Sequence, residues 1–222
     1  MIDLEAAWLE TFERDLAKKV EETGIPTTEW RAGGRATKQY PNKEDGNWWR
    51  ENGLTFVQAY RDWRESTPWQ IWETPAGEPA IELDLRATFG DVPVRTIIDR
   101  IFVTGDGELA VVDIKTGASA PKDQGLQLGF YASAVQQVFG VRPSICTYWN
   151  ARKGGVGEFI PVDHLTPEFL GRLLGDFVKA RDLGLFIPNL SSNCSNCGVR
   201  RACAAVRGEE AALFDPLFLE GK

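Results

Sequence analysis

VRTIIDRIFVTGDGELAVVDIKTGASAPKDQGLQLGFY, residues 94–131, sets two apolar runs on either side of a Gly105-Asp106-Gly107 turn. Each run carries one acid, Asp99 in IIDRIF and Asp113 in LAVVDIK. Gly and Asp supply the backbone freedom of a tight turn, so 94–103 and 108–115 are expected to form an antiparallel hairpin. Asp113 and Lys115 are two apart on a strand and leave the same face with Val111, while Val112 and Ile114 point to the other. Leu109-Ala110-Val111-Val112 is apolar throughout, which predicts a strand covered on both faces. A charge in that setting is costly unless it is paired or bound to metal.

Two acids on neighbouring strands with a lysine beside one of them have a chemical use. Hard carboxylate oxygens hold Mg²⁺ or Mn²⁺. Such an ion polarises a phosphate and lowers the pKa of bound water, and an adjacent ammonium can orient that water. The plain alternative is a buried Asp113–Lys115 ion pair, and D-x-K alone is common. The pattern sharpens downstream, because the helix expected over 124–139 puts Gln127 and Tyr131 one turn apart on one face.

Working outward, Leu4, Trp8, Phe12, Leu16 and Val20 recur every four residues and predict a packing helix ended by Gly24. Residues 25–46 read as a polar loop, with Arg31, Arg35, Lys38 and Lys43 set among Trp30 and Tyr40. Asn47 to Glu65 reads as a helix, weakened by Gly53 and stopped by Pro68. Trp69–Thr74, Pro79–Phe89 and Val92–Val103 read as strands, with Ile81, Leu83 and Leu85 on one face. Pro143–Trp149 reads as a further strand that buries Cys146. Thr166-Pro167-Glu168 starts a helix whose apolar face is Leu170, Leu173, Leu174, Phe177 and Val178. This order predicts an α/β (α+β) fold with a mixed central sheet flanked by helices. The expected division is a helical segment over 1–67, a core over 68–187 and a cysteine-containing tail over 188–222.

Bulk properties narrow the function. Hydrophobic residues make up 43% of the 222, enough for a substantial core. No apolar run approaches the ~20 residues that span a bilayer, and the amphipathic, acidic start is not a targeting peptide. A soluble, cytoplasmic protein with no membrane partner is expected. The formal charge of −7, from 32 acids against 25 bases, argues against coating nucleic acid with a basic surface, but not against gripping DNA in one groove. Four cysteines in an intracellular chain read as thiols or metal ligands.

Taken together, IIDRI, VVDIKTG and QLGFYASAV resemble the motifs of the PD-(D/E)XK nuclease superfamily, and within it the RecB-like exonuclease branch of CRISPR-associated and phage exonucleases. The resemblance implies a restriction-endonuclease-like core over about residues 80–150, extending to 205. It implies that Asp99 and Asp113 bind Mg²⁺ or Mn²⁺ with the backbone carbonyl of Ile114, that Lys115 assists the attacking water, and that Gln127 and Tyr131 support the site and its DNA. An acid upstream often assists in the family, and Glu82 is the candidate here.

Cys194-x2-Cys197-x5-Cys203 is a three-ligand cluster. In that branch a similar trio joins an upstream Cys around a [4Fe-4S] cluster. Here no Cys precedes the core, Cys146 reads as a core thiol, and the one His, His164, reads as a surface residue. A late start relative to the family and loss of the fourth ligand both stay open. An Fe–S cluster or its remnant, or Zn²⁺, is the expectation for the tail. The function implied is a metal-dependent DNA exonuclease in recombination, repair or phage DNA processing, with recombination or CRISPR/phage proteins as partners. The alternative is a catalytically weak nuclease fold that binds DNA or a partner.

Overall fold

The computed structural model describes residues 3–30, 32–33, 37–39, 41, 43–117, 125–185, 189–191, 194, 197, 200 and 203–207. Arg31, Arg35 and Tyr40 of the expected polar loop, and position 124 where the helix was expected to start, lie outside the described residues. The chain divides into two compact units, Met1–Gly175 and Asp176–Lys222.

Helix α1 spans Leu4–Thr23. The Asp3 carboxylate accepts from the amides of Glu5 and Ala6 at 3.1 Å each, and Gly24 closes the other end in the left-handed conformation. Helix α2 spans Gly46–Ser66, capped by Asp45, which accepts from the Trp48 amide at 3.0 Å. Gly53 lowers the intrinsic stability of α2, and packing explains its presence. A Cβ there would lie 2.0 Å from Cζ2 of Trp8, so the Trp8 ring of α1 packs where α2 has no side chain.

The sheet has six strands: β1 Gln70–Ile71, β2 Ile81–Phe89, β3 Val92–Val103, β4 Leu109–Lys115, β5 Ile145–Asn150 and β6 Gly155–Val156. The order is β1-β3-β4-β5-β6, with β2 paired to β3. The β4–β5 pair is parallel and the others are antiparallel, so the sheet is mixed as expected. A parallel pair needs a crossover, and α3, Leu126–Phe139, supplies it. Helix α4 covers Pro167–Asp182, and a short α5 covers Ala204–Arg207.

One core lies on each side of the sheet. Val111, Ile98, Leu83 and Leu85 pack with Leu128, Tyr131, Ala132 and Val135 of α3. Val112, Phe102 and Trp149 pack with Phe56, Tyr60 and Trp63 of α2. The alternation of β4 therefore serves both layers, as its apolar run required.

Three sequence expectations change. Ile81 is 45% exposed and outside the core, because Glu82 takes a positive φ of 51° and breaks the alternation, putting Ala80 inside instead. The hairpin partner of β3 along most of its length is β2, and only Arg100–Val103 pair with β4. Leu170 is buried, but Leu173 and Phe177 are exposed, so the buried face of α4 is narrower than its apolar pattern.

Candidate active site

β3 and β4 are joined by a turn in which the Thr104 carbonyl accepts from Gly107 and its Oγ1 from Glu108, at 3.0 and 3.1 Å. From there the ladder runs Val103↔Leu109 to Arg100↔Val112 and stops. The next opposed residues are Asp99 and Asp113. Beyond this point β3 follows β2 while β4 follows β5, as far as Lys115↔Asn150. The two acids thus stand at the mouth of a fork in the sheet. The Asp99 carboxylate takes over where the ladder ends: its Oδ2 accepts from the Ile114 amide at 2.7 Å.

On the α3 side of the fork, Asp113 is only 2% exposed. Its desolvation is offset by charge and hydrogen bonds. The Lys115 ammonium lies 2.5 Å from Asp113 Oδ2, and Gln127 Nε2 donates to Oδ1 at 2.9 Å. Gln127 also accepts from Lys115 at 3.1 Å and donates to the Tyr131 hydroxyl at 2.6 Å. The amide orientation follows, since its oxygen must face the ammonium and its nitrogen the carboxylate. Burial pushes the Tyr131 phenol above its usual pKa; the bond from Gln127 opposes this, and Asp113, Asp99 and Glu82 reinforce it.

The structure therefore brings Asp113, Lys115, Gln127 and Tyr131 into one hydrogen-bonded group, with Asp99 and Ile114 at its edge. Glu82 turns to the Arg100 guanidinium at 3.1 Å, and Arg100 also donates to the Asp99 carbonyl. Sequence reasoning missed Tyr148 and Asn150. Lys115 Nζ lies 5.5 Å from the centre of the Tyr148 ring, and Asn150 Nδ2 reaches the Gly117 carbonyl at 3.3 Å. The signal was the crossover: a strand that follows a helix after D-x-K pairs parallel to it and ends at the same edge.

The match to known proteins agrees with this geometry. A family model of the PD-(D/E)XK nuclease superfamily matches residues 7–204. The chain belongs to the PD-(D/E)XK nuclease superfamily. Its mixed sheet flanked by helices is the restriction-endonuclease-like core of that family. The chain is also 37% identical over 138 residues to the Gene 69 protein of Mycobacterium phage D29, a match covering 55% of this chain and 49% of that protein. It thus spans about half the length of that curated relative. A solved structure, the crystal structure of SSO0001, aligns with a TM-score of 0.42 at 16% identity over 70% of each chain.

PD-(D/E)XK nucleases generally use Mg²⁺ or Mn²⁺, and the fork fits such an ion. Its donors are hard oxygens, and an ammonium already stands against the buried Asp113 carboxylate, marking a place that calls for positive charge. Asp99, Asp113 and the Ile114 carbonyl are the residues that would hold it. The tail is different. Cys194, Cys197 and Cys203 are free thiols, one ligand short of a [4Fe-4S] cluster. Among the described residues no three His, Cys, Asp or Glu side chains converge as a metal site. The described tail thus does not by itself make a cluster cradle. Cys146 is buried in β5, and burial pushes its thiol up to about 12. His164 is exposed, and no described helix is long and apolar enough to cross a membrane.

Proposed function

We propose that the chain is a divalent-metal-dependent deoxyribonuclease of the RecB-like exonuclease branch, hydrolysing DNA phosphodiesters. The observation that carries this reading is the buried Asp113, held between Lys115 and Gln127, with Asp99 one residue past the end of the β3–β4 ladder and bonded to the Ile114 amide. Mg²⁺ or Mn²⁺ bound there supplies a polarised phosphate and a water of lowered pKa. The chain's own residues do the rest. Gln127 fixes the Lys115 ammonium by accepting from it and fixes Asp113 by donating to it. Lys115 places a positive charge beside the phosphate and orients the attacking water. Tyr131 stays a neutral phenol and anchors the far side of Gln127. Asp99 braces the Ile114 peptide, whose carbonyl then has a set direction.

The similarity to a phage protein supports phage DNA processing, recombination or repair as the setting, with recombination proteins as partners. The test uses purified protein with end-labelled linear and closed circular DNA, in Mn²⁺ or EDTA. Metal-dependent loss of linear DNA alone is expected. Cleavage of the circle would replace exonuclease by endonuclease. Binding without cleavage in either metal would favour a nuclease fold that only holds DNA.

A further inference from the structure

Arg152 is fixed in place beside the fork and takes no part in it. Its Nε donates to the Thr116 carbonyl at 2.9 Å, one residue beyond Lys115. Its guanidinium carbon lies 5.3 Å from the centre of the Trp48 ring and 5.5 Å from that of Phe56, both on α2. Its own amide is held by the Asn150 Oδ1 at 3.0 Å, and Asn150 is the register partner of Lys115. The guanidinium therefore stands at the carboxyl ends of β4 and β5, the edge of an α/β sheet where ligands bind.

Its charge is met by one carboxylate from far away in the sequence. Glu44 Oε2 lies 2.8 Å from the second terminal nitrogen, with the two side chains only 19% and 24% exposed. Glu44 is itself tied down, its amide donating to the Gly33 carbonyl at 3.1 Å. A guanidinium has five N–H donors. Two are used here, by Thr116 and Glu44, and among the described residues the other three make no hydrogen bond. A cation set against two neighbouring rings, oriented by a backbone carbonyl and left with open donors is preorganised for a tetrahedral anion. The chain carries −7 overall, so DNA must be met by discrete cations of this kind rather than by a general field.

We propose that Arg152 binds a phosphate of the DNA strand next to the cleavage site, and that Glu44 occupies that phosphate's place until DNA arrives. This rests on the nuclease reading above. A carboxylate oxygen at 2.8 Å has the geometry a phosphate oxygen takes on a guanidinium. The exchange costs the site one ion pair and returns another, so the charge near Thr116 stays balanced in both states. Glu44 thereby also repels anions that lack the contacts of a whole DNA strand.

The alternative is an internal brace that ties the loop near Glu44 to the strand end, and the two differ in sign. Binding of a short fluorescein-labelled DNA duplex is measured by anisotropy in EDTA over a salt series, with the full chain. The proteins are wild type, Arg152→Gln, Glu44→Gln and the surface control Arg61→Gln, each with its thermal unfolding curve. Phosphate binding predicts that Arg152→Gln weakens binding about 5- to 10-fold and lowers the slope of log K against log salt by about 0.9, one phosphate's worth. It predicts that Glu44→Gln tightens binding by about 2-fold or more, because a competing carboxylate has gone. An Arg152→Gln protein that binds with the wild-type slope overturns the proposal, and so does a Glu44→Gln protein that binds more weakly and melts earlier. If wild type neither binds here nor cleaves linear DNA in the Mn²⁺ assay above, the nuclease reading falls with it. If wild type binds here and cleaves in that Mn²⁺ assay while Arg152→Gln matches its binding, only this assignment falls.

Discussion

An amide carries an acceptor and two donors, and among the described residues Gln127 uses them on Lys115, Asp113 and Tyr131. Removing it takes away the amide that holds the Lys115 ammonium and the Asp113 carboxylate in one direction. Gln127→Ala is expected to lower kcat about 100-fold with a smaller change in KM, as for a misplaced reacting group. Steady-state cleavage in Mn²⁺ checks this. Cys146 makes a second prediction at this scale. Its thiol titrates near 12 in the folded chain and near ~8.5 when unfolded. Between those values the folded state keeps a proton that the unfolded state has lost. The thiol's contribution is therefore intact below the unfolded pKa, and stability falls as pH rises above it, by at most about 1.4 kcal/mol per pH unit. Urea unfolding of wild type and Cys146→Ala at rising alkaline pH should show a steeper decline for wild type. Equal slopes would mean the thiol is accessible.

Among the elements, close approaches carry the precision. A Cβ on Gly171, near the start of α4, would lie 2.6 Å from the Gly90 amide nitrogen at the β2–β3 turn. Both partners are backbone and neither can step aside. Gly171→Ala should cost about 1–3 kcal/mol by denaturant midpoint. The α4 N-cap is a smaller effect: Thr166 Oγ1 accepts from the Phe169 amide at 3.2 Å, and Thr166→Ala should cost about 1 kcal/mol. Helices α1 and α2 and the β3–β4 turn were legible in the sequence, because apolar period and caps agree there. The buried Asp113 and its partners on α3 were legible too, because D-x-K on an apolar strand and Q-x-x-x-Y on a helix each put their residues on one face. The division of β3 between two partners was not. It depends on the positive φ of Glu82 and on where the β4 ladder stops, and neither leaves a mark in the apolar pattern. Glu44 and Arg152 were illegible for another reason: 108 residues separate them, and neither lies in a motif.

For the whole molecule, the sheet is covered by α2 on one side and α3 on the other, and the two acids stand where β3 and β4 part. A chain of net charge −7 can belong to a family of nucleases because its cations sit in fixed places beside the acids, Lys115 against Asp113 and Arg100 beside Asp99. Asp99 and Asp113 act as one unit in this account, so removing either should cost what removing both costs. The direct test is cleavage of labelled linear DNA in Mn²⁺ by wild type, Asp99→Asn, Asp113→Asn and the double variant, all near-isosteric changes. The account predicts Mn²⁺-dependent cleavage by wild type and its loss in each single variant, with the double variant no worse. Cleavage at the wild-type rate by either single variant would contradict it.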